Sequence, residues 1–220
     1  DLYSRYVVAW MIAERENSAL AKQLFGTAIG RHGVDAGKLV VHQDRGAPMT
    51  SHGFADLLGE LGVERSYSRP RVCNDNPYSE SNFRTAKYQP DYPGRFVDIA
   101  HARRWFDEFF VWYNERHHHT GLALFTPHDV FFGNVDTIVA CRQRALDHAH
   151  QAHPERFVAG RPFAKRPPSR VCINPADGEP PTLQRVIDTD DDKLVDLWPT
   201  LPTAPLAINV PGVPTSEITT

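Results

Sequence analysis

The 220-residue sequence is poor in the features that mark several large protein classes. No apolar run approaches the roughly 18 residues that a membrane-spanning helix requires. The opening segment, DLYSRYVVAW, has neither the basic start nor the cleavage pattern of a secretory signal. Cysteine is scarce: Cys73, Cys141 and Cys172 are far apart, odd in number and without CxxC spacing. This argues against a disulfide framework or a zinc site and for reduced cytosolic thiols. There is no internal repeat, and no strong charge of either sign. The net charge of -3 hides an asymmetry, because residues 174–220 carry eight acidic and two basic residues. The body is therefore mildly basic and the tail acidic, which is compatible with DNA as a partner but does not by itself indicate it. An initiating Met is also missing, and the chain opens directly on a strand-like run, so its natural start is expected upstream of Asp1.

What is present reads as an alternation of short strands and helices. Residues 5–12, β-branched and aromatic, predict a strand after a turn at DLYS. Asn17 and Ser18 cap a helix running to about Gly30, ended by Gly33. Lys38–His42 is a short apolar strand, and Asp44-Arg45-Gly46 is a loop at its C-terminal end. Ser51 caps a helix over Phe54–Leu61, followed by a strand over Val63–Ser66 and a polar loop from Ser68 to Asn76. Helices are predicted over Tyr78–Tyr88, Asp98–His118, from Thr126-Pro127, and over Val135–His150. Beyond Pro154 prolines accumulate and only extended pieces are expected, with Arg170–Ile173 the best strand. The acidic stretch 177–220 has the composition of a disordered or loosely attached tail. The order of elements indicates an α/β core with helices against a mixed sheet.

Two carboxylates stand out. Asp44 follows a buried strand in V-V-H-Q-D-R-G, and Glu80 opens a helix in N-D-N-P-Y-S-E-S-N-F, with thirty-five residues between them. A strand end and a helix start can converge on one cleft. Carboxylates there can hold Mg²⁺, which prefers hard oxygen ligands and keeps several waters. A pair of such ions can activate an attacking oxygen and stabilise the leaving one in phosphodiester displacement. Alone, Asp44 would read as a turn residue and Glu80 as a solvated helix residue.

In combination with their flanking motifs the sequence resembles the DDE-type insertion-sequence transposases, relatives of the retroviral integrases, over about residues 1–176. D-L-Y-S-R and the Val-rich run after it match the family's second strand. H-Q-D-R-G places Asp44 at the second catalytic aspartate. D-N-P-Y-S-E-S-N-F-R-T-A-K places Glu80 at the catalytic glutamate. W-Y-N-E-R-H-H-H-T-G, T-P-H-D-V, H-P-E-R-F-V-A-G-R-P and V-C-I-N-P match later family segments, with Cys172 where a Trp is usual.

The resemblance implies a ribonuclease-H-like mixed sheet flanked by helices. It implies an integrase-type core over 1–132, a C-terminal helix and small extended appendage over 133–176, and the tail over 177–220. It further implies a two-metal Mg²⁺ (or Mn²⁺) site held by Asp44 and Glu80, and DNA cleavage followed by strand transfer on transposon ends and target. The protein would act as a homo-oligomer on DNA in the bacterial cytoplasm, associated with the nucleoid and without membrane attachment. Lys87, two turns beyond Glu80, matches the basic residue that the family aims at DNA, although by itself it would read as an exposed helix lysine.

The loop and helix arginines Arg45, Arg69, Arg71 and Arg84 are candidates for phosphate contact, against the plainer reading of solvated side chains. Asn76 is expected to cap the helix of Glu80 rather than sit at the metals. His42 is expected to pack or hydrogen-bond at the strand end rather than bind metal. His117 to His119 read as helix-end charge and packing, and the stripe Trp105, Phe109, Trp112, Tyr113 as core. The family's first catalytic aspartate lies on a strand ahead of D-L-Y-S-R. Asp1 corresponds to a non-ligating aspartate before the turn, so the first strand and its ligand are expected to be missing and the chain inactive alone. The alternative is a remnant that binds only DNA or a full-length partner. A minimal ribonuclease-H-like nuclease is disfavoured because it has no need of H-P-E-R-F and T-P-H-D-V.

Overall fold

A computed structural model describes residues 1–44, 50–69, 75–173 and 206–207. The chain divides into two compact units. One holds Val8–Phe109 together with 172–173 and 206–207; the other holds Asp1–Val7 and Phe110–Val171. The architecture is α/β. No described helix is long and apolar enough to cross a membrane.

The first unit is built around two parallel strands, β2 (Val40–Gln43) and β3 (Glu64–Tyr67), following a short β1 (Ala9–Trp10). Val40 pairs with Glu64 and Gln43 with Tyr67, in continuous register. Helices α1 (Ser18–His32) and α2 (His52–Glu60) pack against each other and cover one face. Their ends follow the sequence signals. Asn17 accepts from the Leu20 amide, Ser51 accepts from the Phe54 amide, and Gly33 takes the left-handed conformation at φ 56°.

Side chains alternate along a strand, so Val41 points into the apolar cluster of Ala21, Ile29, Phe54, Leu58 and Val63 while His42 points to the other face. Phe25 meets Phe54 edge to face at 5.0 Å. Gly62 joins α2 to β3 at φ 65°, where a Cβ would lie 2.6 Å from the Ala36 methyl, so only glycine fits. Farther along, α3 (Pro77–Lys87) and α4 (Ile99–Glu115) follow. Trp105 of α4 stacks on Phe109 at 5.2 Å and donates its indole N–H to Asp91. Of the predicted stripe, Trp105, Phe109 and Tyr113 are buried and Trp112 is half-buried.

The predicted strand over residues 5–12 shrinks to Ala9–Trp10. The reason lies in where its backbone bonds go. Arg103 claims the Ile12 carbonyl with Nε and Nη2, at 3.2 and 3.0 Å. In the other unit the amide of Asn114, fully buried, accepts from the Val7 N–H at 2.9 Å and donates to the Val7 carbonyl at 3.1 Å. Side chains thus replace a neighbouring strand. Arg5 stands at φ 66°, which breaks the extended run. Both described ladders, β2–β3 and β1 with β4 (Leu206–Ala207), are parallel; antiparallel pairing occurs among the described residues as the single bridge His119–Phe125. Arg170–Ile173 forms no strand: the Cys172 carbonyl instead accepts the Tyr78 hydroxyl at 3.3 Å. The tail reading otherwise falls outside the described residues, apart from β4.

In the second unit, Asp1 closes a turn, its Oδ1 accepting from the Ser4 amide and hydroxyl at 2.6 Å each. Buried Tyr6 stacks on Phe131 at 4.4 Å. Thr126 and Asp129 form a reciprocal capping box at the start of α5 (Pro127–Phe131). Ala123 and Leu124 both have positive φ, at 52° and 62°. Arg142 of α6 (Val135–Ala152) fixes them by donating to both carbonyls while lying 4.0 Å over the Phe125 ring. At the end of α4, His117 and His119 are half-buried, while exposed His118 lies 3.0 Å from the Leu124 carbonyl. His117 lies against Trp112 and Tyr113, and burial lowers its pKa and that of His119. The His119 ring accepts from the Gly121 amide.

Two outcomes check this description. Leu58→Ala removes a fully buried side chain from the helix–strand cluster; denaturant unfolding should show a loss of about 2–5 kcal/mol. The second concerns Asp147, which accepts from Arg161 at 2.7 and 2.9 Å and from Gln143, and these bonds lower its carboxyl pKa from 3.8 to about 2. The folded state favours the ionised form, so the tie to Arg161 holds above the ordinary carboxyl value and is lost as pH falls toward about 2. NMR titration of the Asp147 carboxyl should show the depressed midpoint, and Arg161→Gln should return it toward 3.8.

Candidate catalytic site

The end of β2 and the start of α3 are fastened together by one imidazole. His42 lies beside Ser66 in the ladder register, and its Nδ1 is 3.1 Å from the Ser66 hydroxyl. Its Nε2 donates to the Asp75 carbonyl at 2.9 Å, with the Ser68 hydroxyl 3.4 Å away. Asp75 immediately precedes Asn76, the N-terminal boundary of α3. His42 thus hydrogen-bonds at the strand end, and the bond reaches across to the segment that leads into the helix of Glu80.

Asp75 is the residue that sequence reasoning passed over. It is 4% exposed, and its carboxylate is clasped by Arg69. The Arg69 amide donates to Oδ2 at 2.7 Å, Nε to Oδ2 at 3.0 Å, and Nη2 to Oδ1 at 2.9 Å. Hydrogen bonding and the charge of Asp75 raise the Arg69 pKa further. Arg69 is therefore paired with Asp75, although its side chain remains 63% exposed. The signal was in the motif itself: an acidic residue directly before Asn-Pro, six residues after an Arg, is spaced to close a loop.

Around this tie stand the predicted carboxylates. Asp44 directly follows β2 and is exposed; Glu80 lies in the first turn of α3 and is exposed. Pro77 opens the helix, where its fixed φ and missing N–H are tolerated. Glu80 there complements the positive helix N-terminus, and Arg84 and Lys87 complement the C-terminal turn. Glu80, Arg84 and Lys87 share a face by their spacing. Arg84 leans toward the helix end, its guanidinium 5.6 Å from the Tyr88 ring centre.

Asn76 departs from its expected role. It occupies the N-cap position, and its carbonyl accepts from the Glu80 amide at 3.3 Å, but its side chain makes no capping bond. At φ -131° and ψ 42° its backbone is not in the extended conformation from which such a side chain reaches the helix amides. Arg45 and Arg71 lie outside the described residues. Asp1, engaged with Ser4, serves its turn. Cys141 and Cys172 are free thiols.

Carboxylate oxygen is the donor that Mg²⁺ or Mn²⁺ prefers, and Asp44 and Glu80 both present it to solvent. Among the described residues no group of three or more His, Cys, Asp or Glu is assembled for an ion. The two carboxylates suit a hard divalent cation in donor type alone.

The chain is similar to several known proteins. Two models described as integrase core domain match the chain, one over residues 1–73 and the other over 61–127. Asp44 falls in the first match and Glu80 in the second, and together the matches run over more than half of the sequence. The transposase for insertion sequence element IS904 of Lactococcus lactis is 30% identical over 130 residues, 59% of this chain and 51% of that protein. The putative transposase InsK for insertion sequence element IS150 of Escherichia coli is 26% identical over 127 residues, 58% of this chain and 44% of that protein. The chain thus spans about half the length of the curated relatives it matches. The crystal structure of the catalytic core domain of BIV integrase aligns with a TM-score of 0.45 at 20% identity, over 62% of this chain and 84% of that one. This chain belongs to the integrase core family, the catalytic domain class of DDE transposases and integrases.

The Asp75 clasp makes a checkable claim about local order. Asp75→Asn keeps the shape and removes the charge that Arg69 pairs with. Hydrogen exchange at the Arg69 amide should quicken several-fold, with a smaller effect from His42→Ala. Unchanged exchange in Asp75→Asn would show that the clasp contributes nothing.

Proposed function

We propose that this domain is the metal-dependent DNA strand-cleavage and strand-transfer core of an insertion-sequence transposase, with Asp44 and Glu80 as two of its metal-holding carboxylates. The observation that carries the reading is the His42–Asp75 hydrogen bond, which ties the strand leading to Asp44 to the helix bearing Glu80. The two integrase-core matches, one around each carboxylate, support it.

When bound, Mg²⁺ or Mn²⁺ supplies the positive charge that activates an attacking oxygen and stabilises the departing one at phosphorus. Asp44 and Glu80 would hold it from a strand end and a helix start, two rigid supports that preserve the spacing between donors. Lys87 and Arg84, farther along the helix of Glu80, face the phosphate backbone and hold the scissile strand in register. The attacking oxygen is first a water, freeing a 3′-hydroxyl, and then that hydroxyl, joining the strand to target DNA. Both steps are in-line displacements at phosphorus, so one site serves both. The substrate is DNA, namely element ends and target, and the working form is a homo-oligomer assembled on it.

The test is cleavage and strand transfer on oligonucleotides bearing the element's ends, by a transposase containing this domain, in Mg²⁺ or Mn²⁺. Asp44→Asn and Glu80→Gln should each reduce both steps at least a hundredfold while DNA binding persists. Activity that survives either change overturns the metal-site assignment. Binding without any turnover in the parent protein would instead mark a DNA-binding remnant.

A further inference from the structure

The carboxylate site leaves one part of α3 unused. Phe83 is 59% exposed and Tyr88 78% exposed. Among the described residues, neither ring contacts another aromatic ring, and neither Arg84 nor Lys87 is in an ion pair. At 3.6 residues per turn, Glu80, Phe83, Arg84, Lys87 and Tyr88 fall within about 140° of the helix circumference. Ala86, buried, faces away from this sector. The helix and its C-cap Tyr88 thus present two exposed rings, two cations and one carboxylate over this sector. The Arg84 guanidinium over Tyr88 holds that ring beside a positive charge.

A ligand for such a face must carry negative charge and offer flat, polarizable surfaces at intervals of a few ångströms. Nucleic acid does both, but a duplex hides the faces of its bases in the stack. An unpaired strand exposes them, and aromatic side chains stack on them with little sequence preference. We propose that Phe83 and Tyr88 form a stacking surface for unpaired bases of a DNA strand whose phosphates lie against Arg84 and Lys87, next to Glu80. This rests on the DNA reading above and adds to it the form of the substrate: a strand frayed or single-stranded beside the cut site.

The experiment uses the 220-residue chain, a duplex with an unpaired overhang carrying 2-aminopurine, and the same duplex blunt-ended. Binding is followed by anisotropy and by quenching of the 2-aminopurine, with circular dichroism confirming that each variant is folded. The parent should prefer the overhang and quench it. Phe83→Ala and Tyr88→Ala should each weaken overhang binding about tenfold, roughly 1.4 kcal/mol, abolish quenching, and leave blunt-duplex binding unchanged. Tyr88→Trp should retain both signals, and Phe83→Leu should restore neither. Parent-like binding by Phe83→Leu would overturn stacking, since an aliphatic side chain would then serve as well as a ring. If Lys87→Gln and Arg84→Gln reduce affinity and its salt dependence while the ring variants change nothing, stacking fails and the DNA reading stands. A parent chain that binds neither oligonucleotide sinks both.

Discussion

The hydrogen bond from His42 Nε2 to the Asp75 carbonyl joins the end of β2 to the start of α3, beside the clasp of Arg69 on the same residue. The strand before it is held by a ladder to β3 and by Val41 in the apolar cluster. The helix beyond it begins one residue after Asn76, with Pro77. Since strand alternation sends Val41 inward and His42 outward, burial of the one aims the other. The orientation of the imidazole is therefore a by-product of core packing, and the start of α3 is positioned by it.

The same economy appears in how backbone polar groups are satisfied. Where a longer strand was expected, Asn114 and Arg103 take the place of a neighbour. Where a loop leaves β3, Arg69 and Asp75 close it with three bonds around a buried carboxylate. Where Ala123 and Leu124 adopt a left-handed pair, Arg142 holds both carbonyls. A buried polar group without a partner costs about 1–3 kcal/mol, so each side chain stabilises a backbone path that regular structure does not reach. Each of them lies in or beside one of the motifs on which the family resemblance was drawn, or packs onto it.

Membership of the integrase core family and the arrangement of carboxylates lead to one chemical picture. Asp44 and Glu80, the proposed ligands, stand at a strand end and a helix start, and cations extend along the helix that bears Glu80. The proposed stacking rings would extend the picture from phosphate to base. The tail, with its acidic surplus, stands apart from this basic face in charge.

Local rules made much of this legible in the sequence. Asn17, Ser51, Thr126-Pro127 and Gly33 mark helix ends because capping depends on neighbours three or four residues away. Asp44 and Glu80 were readable because their flanking motifs are contiguous. The sequence did not reveal that Arg69 pairs with Asp75, that the Asn76 side chain leaves its cap unmade, or that Asn114 and Arg103 supplant a strand. Those outcomes depend on which groups meet after folding. A hydrogen bond across more than a hundred residues, such as Asn114 to Val7, has no local signature, and only tertiary packing decides which buried backbone group a side chain must satisfy.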